Sequence, residues 1–374
     1  MQAETINTLN LQEIISNFSI EGGVSAVKPY GSGHINDTFH IANSEGRLND
    51  YLLQRINDKI FKNVPALMEN IRQVTLHLKN KLAEDPASDP DREVLTLIPA
   101  KDNKFYYKDS DSNYWRMYIY IPHTKSYDIL ETENQAFEGG KAFGKFQSLL
   151  SDMDISLLQE TIPDFHNIEK RLQKFRDIVA ADPEGRVSEV ISEIQYILER
   201  ADKMCAIPRL VREGKLIKRI THNDTKFNNV LLNEHDKAQC VIDLDTVMPG
   251  YVSSDFGDAI RTIINTGSED EKDLDKIDLN IPLFKAYTKG YLEEACSFLS
   301  PAEIESLSLG VLLLPYMQVI RFLTDYLEGD VYYKISFPGH NLQRTKAQLK
   351  LFQKLEEQYD FLKKIIEETV ETVR

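Results

Sequence analysis

The chain has 374 residues, 42% hydrophobic and 28% charged, which is enough apolar material for a substantial core and a length that suits two lobes. A formal charge of −15 and a pI near 5.1 argue against nucleic acid or an anionic membrane as the main partner. They fit a protein whose few basic groups gather where a small anion binds.

At the N-terminus, MQAETINTLNLQEII lacks the basic start and apolar run of a signal peptide. The three cysteines, Cys205, Cys240 and Cys296, are odd in number and widely spaced, so a reduced, cytoplasmic compartment is the expectation. SAVKPY leads into the turn GSGHIN, and DTFHIA and YLLQRI read as strands on either side of the turn NSEGRLND. Leu67, Ile71, Val74, Leu78 and Leu82 recur at helical spacing and predict a helix over about 65–82. EVLTLIPA, KFYYKD and NYWRMYIYI read as three further strands, giving a mostly antiparallel sheet interrupted by one helix. From Pro122 helical patterns take over, broken only by the β-like NVLLN and QCVIDLD. The apolar GVLLLPYM is too short to span a bilayer and reads as part of a core helix. The charged C-terminal stretch LQRTKAQLKLFQKLEEQYDFLKKIIEETV reads as one solvated, amphipathic final helix. The expected organisation is a small β-rich lobe, residues 1–121, followed by a larger mainly helical lobe, residues 122–374.

THNDTKFNN has the spacing H-x-D-x-x-x-x-N of a phosphoryl-transfer loop. Such a reaction needs a carboxylate at the acceptor hydroxyl and hard oxygen ligands for the metal on the nucleotide. His222 would brace the loop, Asp224 would accept the hydroxyl proton, Asn229 would hold magnesium and Lys226 would reach the transferred phosphate. A plain polar turn would use the same residue types. The segment NVLLN-EHDKA-QCVIDLD weighs against that, because strand, turn, strand and carboxylate follow at a hairpin's distance, with Asp243 19 residues after Asp224. Asp245, two residues on, is expected on the same strand face as Asp243, where it would touch the metal or, in preference, a substrate hydroxyl. The literal triplet Asp255-Phe256-Gly257 lies 31 residues after Asp224, too far to close that hairpin. Its expected work is to cap a helix and brace the catalytic loop, with Asp258 in the first turn.

Upstream, Gly31 and Gly33 suit a phosphate-covering turn between strands. The strand YLLQRI occupies the place of a kinase's β-strand lysine, yet offers Gln54 and Arg55. Gln54 shares a face with Leu52, and Glu69 is a candidate partner or a solvated surface residue. CAIPR at 205–209 fails a sulfatase nucleophile motif, its proline standing one place late.

With these strings in this order, the chain resembles the aminoglycoside phosphotransferase/choline kinase superfamily, and most of all the N-acetylhexosamine 1-kinases. The likeness rests on GHINDTF, WRMYIYIPHTKSYD, THNDTKFNN, VIDLDTVMPG, DFGDAIR and RFLTDYLEGDVYY and covers nearly the whole chain. It implies an α+β, bilobal, protein-kinase-like fold, ATP as phosphoryl donor with Mg2+, and transfer to the anomeric hydroxyl of free N-acetylglucosamine or N-acetylgalactosamine. It makes Asp224 the base and Asn229 and Asp243 the metal ligands. Gly31, Gly33, Asn36, Gln54, Tyr120 and Ile121 become the nucleotide contacts, and His34, Asp245, Arg321 and Tyr332 the sugar contacts. For Arg321 an ion pair with Asp325 is the competing expectation, and for Tyr332 simple packing. The alternative acceptor is an aminoglycoside or choline-like amino alcohol, and a monomer or homodimer is allowed.

Overall fold

The computed structural model describes residues 8–31 and 35–374. They fall into two compact units. One runs to Thr124 and adds Met153–Pro163 and Gln239–Met248; the other comprises Lys125–Asp152, Asp164–Ala238 and Pro249–Arg374. Two late segments thus join the first unit, which a sequential division at 121/122 does not capture. Asn70 shows why: its amide donates to the carbonyls of Gln159 at 2.8 Å and Val247 at 3.2 Å and accepts the N–H of Gln159 at 2.9 Å.

The first unit holds a six-stranded antiparallel sheet. β1 (Val24–Pro29), β2 (Asp37–Asn43), β3 (Tyr51–Ile56), β6 (Tyr114–Ile119) and β4 (Leu97–Ile98) lie side by side in that order, and β5 (Tyr107–Lys108) pairs with β6. Alternation puts Phe39, Ile41, Tyr51, Leu53, Trp115 and Met117 on one face, where α1 (Thr8–Ser16) lays Leu11, Ile14 and Ile15 across them, with Phe18 just beyond its end. The expected elements did not include α1. Its signal is the i, i+3, i+4 spacing of those three apolar residues. Thr38, Gln54, Arg116 and Tyr118 fall by the same alternation on the opposite face. α2 (Val64–Leu82) buries Leu67, Ile71, Val74 and Leu78 as its periodicity requires, and Asn63 caps it by accepting the Ala66 N–H at 3.1 Å. EVLTLIPA yields only the two residues of β4, because the one-turn helix α3 (Pro90–Glu93) starts at the preceding proline.

The second unit is helical: α4 (Glu133–Leu149), α5 (Ile168–Ala181), α6 (Ile191–Met204), α7 (Ala206–Arg212), α8 (Val252–Ile263), α9 (Ile281–Ala295), α10 (Pro301–Leu327), α11 (His340–Glu357) and α12 (Tyr359–Val373). β8 (Arg219–Thr221) and β9 (Val230–Asn233) are short strands within it, and β7 (Thr124–Lys125), β10 (Ala238–Val241) and β11 (Met248–Gly250) fall at points where the chain passes from one unit to the other. α10 contains GVLLLPYM and is longer than the expected segment. By length and composition it would cross a membrane, but 89% of its apolar window is buried within the protein, which makes it a core helix. It packs against α5, α8 and α11. The crossing with α8 is made backbone to backbone, since a Cβ on Gly310 would stand 1.8 Å from the Ser253 carbonyl oxygen. The C-terminal stretch forms two helices, not one solvated helix. They break at Gln358 and bury Leu351, Phe352 and Leu355, then Leu362, Ile365 and Ile366.

Candidate active site

The loop His222–Asn229 leaves β8 with Asn223 in a left-handed conformation (φ 64°), which asparagine tolerates better than most residues. His222 is fully buried, with its ring edge-on to Phe143 at 5.5 Å and Phe146 at 5.7 Å, and its Nδ1 accepts the Asp224 N–H at 3.3 Å. The Asn229 amide donates to the Asp224 carbonyl at 2.8 Å and to its Oδ2 at 3.3 Å. Lys226 Nζ lies 3.4 Å from Asp224 Oδ2. The four expected residues of this loop therefore share one small region, with the Asp224 carboxylate held between a cation and an amide.

Asp255 secures this loop. Its Oδ1 accepts the Asn223 N–H at 2.8 Å, and its Oδ2 accepts the His222 N–H at 2.8 Å and the Gln147 amide at 2.7 Å. The Thr225 hydroxyl donates to its main-chain carbonyl at 2.5 Å, and the Thr225 N–H donates to Asp258 Oδ2 at 3.0 Å. Burial pushes the Asp255 carboxyl up to about 7, against the pull of these donors. For Asp258, burial pushes the carboxyl up, but the adjacent Arg261 guanidinium at 3.0 Å together with His166 and Lys226 holds it below its usual range. The bracing expected of Asp255 is thus present, but capping is not: α8 begins at Val252, and Asp255 stands inside its first turn. Gly250 is a close-approach position, because a Cβ there would meet Thr221 Oγ1 at 2.2 Å.

In the first unit, Gly31 forms an exposed turn with φ 77°, while Gly33 and His34 lie outside the described residues. Asn36 Nδ2 donates to Asp245 Oδ2 at 2.7 Å, and Asn36 Oδ1 accepts the Asn57 N–H at 3.0 Å. Gln54 accepts Arg116 Nε at 2.9 Å and donates to Thr38 Oγ1 at 3.0 Å. Glu69 pairs on the surface of α2 with Arg72 at 2.6 Å and accepts from Gln73 at 2.7 Å, the solvated alternative. Tyr120 lies just past β6; its N–H donates to the Asp50 carbonyl at 2.9 Å, and its ring is 4.7 Å from His40 and 5.8 Å from Tyr30. Burial, followed by the hydrogen bond to Tyr120, pushes the Tyr30 phenol up to about 12. Ile121 is buried, with its carbonyl accepting the Thr124 hydroxyl at 2.8 Å.

The DLD segment departs from the strand geometry assumed for it. β10 ends at Val241, Asp243 is left-handed (φ 58°, ψ 58°), and Leu244–Thr246 form a single helical turn. Asp243 and Asp245 therefore do not share a strand face. Asp245 is only 2% exposed, and its carboxylate is occupied by the Arg116 guanidinium and Asn36. It is not an open acceptor for a sugar hydroxyl. Arg116 was absent from the sequence expectations; its signal is a lone arginine in an otherwise apolar and aromatic strand, directly across from Gln54 in the β3–β6 register.

Within the second unit, Arg321 does not pair with Asp325. The Asp325 carboxylate is spent on the N–H groups of Val331, Tyr332 and Tyr333 at 2.7–3.0 Å and on the Asn341 amide at 2.7 Å. These bonds fold the segment after α10 so that Tyr332 and Tyr333 stand beside Arg321. The Arg321 guanidinium lies 5.5 Å from the Tyr333 ring and 5.8 Å from the Phe165 ring and is bonded to Gln318 at 3.2 Å. Tyr332, 64% exposed, has its ring 4.8 Å from that of Tyr333. Arg171 and His166, both electrostatically coupled to Arg321, complete the cluster. Among the described residues neither Arg171 nor Arg321 has a carboxylate within ion-pair reach, and His166 Nδ1, Arg171 Nε and the Tyr333 hydroxyl are buried without a partner. His166 is held down at about 4, mainly by burial and only partly offset by Asp258.

A family model described as the APH phosphotransferase enzyme family matches residues 26–288. The chain belongs to this phosphotransferase family. It is an enzyme that transfers phosphate to a hydroxyl acceptor, on an α+β, protein-kinase-like fold. Solved structures similar to it include an aminoglycoside phosphotransferase from Alicyclobacillus acidocaldarius subsp. acidocaldarius, 12% identical over 100% of this chain and 98% of that one, with a TM-score of 0.61. A choline kinase from Cryptosporidium parvum is 14% identical over 97% and 99% of the two chains, with a TM-score of 0.56. A spectinomycin phosphotransferase in complex with ADP and spectinomycin is 14% identical over 98% and 99%, with a TM-score of 0.52.

The residues expected to hold a divalent cation carry oxygen donors. In the second unit Asn229 spends its amide N–H groups on Asp224, which leaves its side-chain oxygen for a cation, and in the first unit Asp243 carries a carboxylate. Both are hard oxygen donors of the type magnesium takes. Among the described residues no group of three or more His, Cys, Asp or Glu forms a complete cage. Magnesium in such enzymes uses one or two protein oxygens and fills its shell with phosphate and water.

Proposed function

We propose that the protein is an ATP- and magnesium-dependent kinase acting in the cytoplasm on the anomeric hydroxyl of free N-acetylhexosamine, N-acetylglucosamine or N-acetylgalactosamine, to give the sugar 1-phosphate. ATP as donor draws support from similar structures described as holding ADP or ATP with an antibiotic acceptor. In this proposal Asp224 orients the acceptor hydroxyl and takes its proton, and Lys226 meets the charge on the transferred phosphate. Asn229 and Asp243 hold the magnesium, which neutralises phosphate charge when bound. A hemiacetal hydroxyl is more acidic than an ordinary alcohol, so the modest basicity of an aspartate suffices.

The observation that carries the choice of acceptor is the guanidinium pair Arg171 and Arg321, without carboxylates, beside Tyr332 and Tyr333. Asp258 links this cluster to the catalytic loop, because it takes the Thr225 N–H and is coupled to both His166 and Lys226. Arginines donate hydrogen bonds to hydroxyl and carbonyl oxygens and repel ammonium groups. With the Asp245 carboxylate already taken, these groups favour a neutral, oxygen-rich acceptor over a cationic aminoglycoside or choline. The test is ATP turnover against free N-acetylhexosamines, plain hexoses, choline and aminoglycosides, with the product's phosphate placed by NMR. Turnover of N-acetylhexosamine to the 1-phosphate, lost in D224A, supports the proposal; turnover only with aminoglycosides, or phosphate at C6, overturns it.

A further inference from the structure

The sheet face opposite α1 carries a buried polar network with no counterpart in the roles assigned so far. Arg116, 1% exposed, forks its guanidinium onto Asp245, with Nη2 to Oδ2 at 3.1 Å, while its Nε donates to Gln54. Gln54 continues to Thr38 on β2, and Asn36 joins from the turn before β2, bonded to both Asp245 and Asn57. The guanidinium carbon also lies 5.3 Å from the centre of the Tyr118 ring. Buried ion pairs are weak contributors to stability, because desolvation offsets most of the attraction, and apolar replacement of both partners is often neutral. Stability alone is therefore a poor reason for this pair.

Its neighbourhood supplies a better one. Asp243 stands two residues before Asp245 on the same left-handed-then-helical turn, and it lies close enough to Arg116 to add to the negative potential there. The strand position where a related kinase offers a lysine holds Gln54, and Arg116 is directly across from it. Because its guanidinium is buried and committed to Asp245 and Gln54, Arg116 is not itself a phosphate ligand.

We propose that Arg116 is a positioning residue for the magnesium-binding carboxylate. By clamping Asp245 it fixes the turn that presents Asp243, and through Asn36 it ties that turn to the start of β2. Magnesium–nucleotide binding thereby depends on a residue that touches neither. This inference rests on Asp243 serving as a magnesium ligand, as proposed above.

The test is binding of a fluorescent ATP analogue, without any acceptor, titrated with Mg2+ for wild type, R116K, R116M and the doubly apolar R116M/D245L, alongside thermal melting of each. Residues that orient metal ligands typically change metal affinity by about 10- to 100-fold. R116M is expected to raise the half-saturating Mg2+ by about that range, and R116K by less, since it keeps the charge but loses the fork. The double variant is expected to melt near wild type with its Mg2+ midpoint still displaced. An unchanged midpoint in R116M and R116K, or recovery of both midpoint and melting in the double variant, overturns the proposal. Should R116M fail to fold, R116K and the double variant decide in the same way. A wild type that binds no nucleotide at any Mg2+ concentration would instead remove the nucleotide role itself, and the inference with it.

Discussion

Asp255 Oδ2 accepts the main-chain N–H of His222 at 2.8 Å, so a helix outside the catalytic loop sets the backbone of that loop. The same carboxylate takes the Asn223 N–H, and it has no exposed surface through which water could replace it. In D255N one side-chain atom becomes an NH2 group facing an N–H donor, so at least one buried donor loses its partner. An unsatisfied buried group costs about 1–3 kcal/mol, and more where charge is involved. D255N is expected to lose stability of that order, measured by denaturant unfolding, and to lower kcat more than it changes the ATP KM. Wild-type stability in D255N would show that the loop holds itself.

The α8–α10 crossing makes a second expectation. Gly257 and Gly310 let two helices meet at backbone distance, and a Cβ at position 310 would stand 1.8 Å from the Ser253 carbonyl oxygen. Since that obstacle is main chain and not a flexible side chain, G310A must separate the helices. Overpacking of a tight core typically costs about 1–3 kcal/mol, occasionally more. G310A should therefore unfold at lower denaturant with an unchanged slope. Because α8 carries Asp255, its catalytic loop should also become more protease-sensitive.

The contacts within the His222–Asn229 loop were legible in the sequence because they are local: His222, Asp224, Lys226 and Asn229 stand within eight residues, and the spacing alone implies the contacts found. The bracing work of Asp255 was legible from its position, since a carboxylate in the first turn of the following helix can reach back to the His222 and Asn223 N–H groups. What escaped was long-range pairing. Nothing local to Asp245 announces that Arg116, 129 residues away, occupies its carboxylate, and strand alternation misled because the strand ends at Val241. Likewise Arg321 and Asp325 have ion-pair spacing on a helix. Asp325 instead satisfies three N–H groups of the segment that follows, a demand visible only once the chain has turned. α1 was missed although its apolar spacing is regular, since only the sheet it covers gives the short helix a reason to persist.

His166 yields a pH dependence. Burial, reinforced by Arg321, Arg171 and Arg261, holds its imidazole down at about 4, below the ordinary value of 6.5. The fold thus prefers the neutral ring. That contribution is complete above pH 6.5 and is lost as pH falls toward 4, on the order of 3 kcal/mol in all. Asp255, raised to about 7, acts in the opposite sense: its contribution is full below about 4 and fades as pH rises through 7. Comparing wild type with H166F isolates the histidine. Melting temperature should fall more steeply in wild type than in H166F between pH 6.5 and 4.5, and parallel profiles would refute the assignment.

Arg321 makes the sharpest test of how the acceptor is held. Its planar guanidinium is bonded to Gln318 and lies 5.8 Å from the Phe165 ring and 5.5 Å from the Tyr333 ring, while Arg171 repels it from the same cluster. Two cations that repel one another gain most from a ligand oxygen that accepts from both. R321K keeps the charge but loses the fork and the ring contacts, so geometry and charge are separated by comparing it with R321M. A hydrogen bond to a charged group is worth about 1.5–3 kcal/mol, which corresponds to roughly 10- to 150-fold in affinity. R321K should raise the N-acetylhexosamine KM by at least about tenfold, and R321M further still, with the ATP KM unchanged in both. If both variants change the ATP KM and leave the sugar KM alone, Arg321 belongs to the nucleotide side. If R321M gains turnover of an aminoglycoside, the guanidinium is what excludes cations from this site.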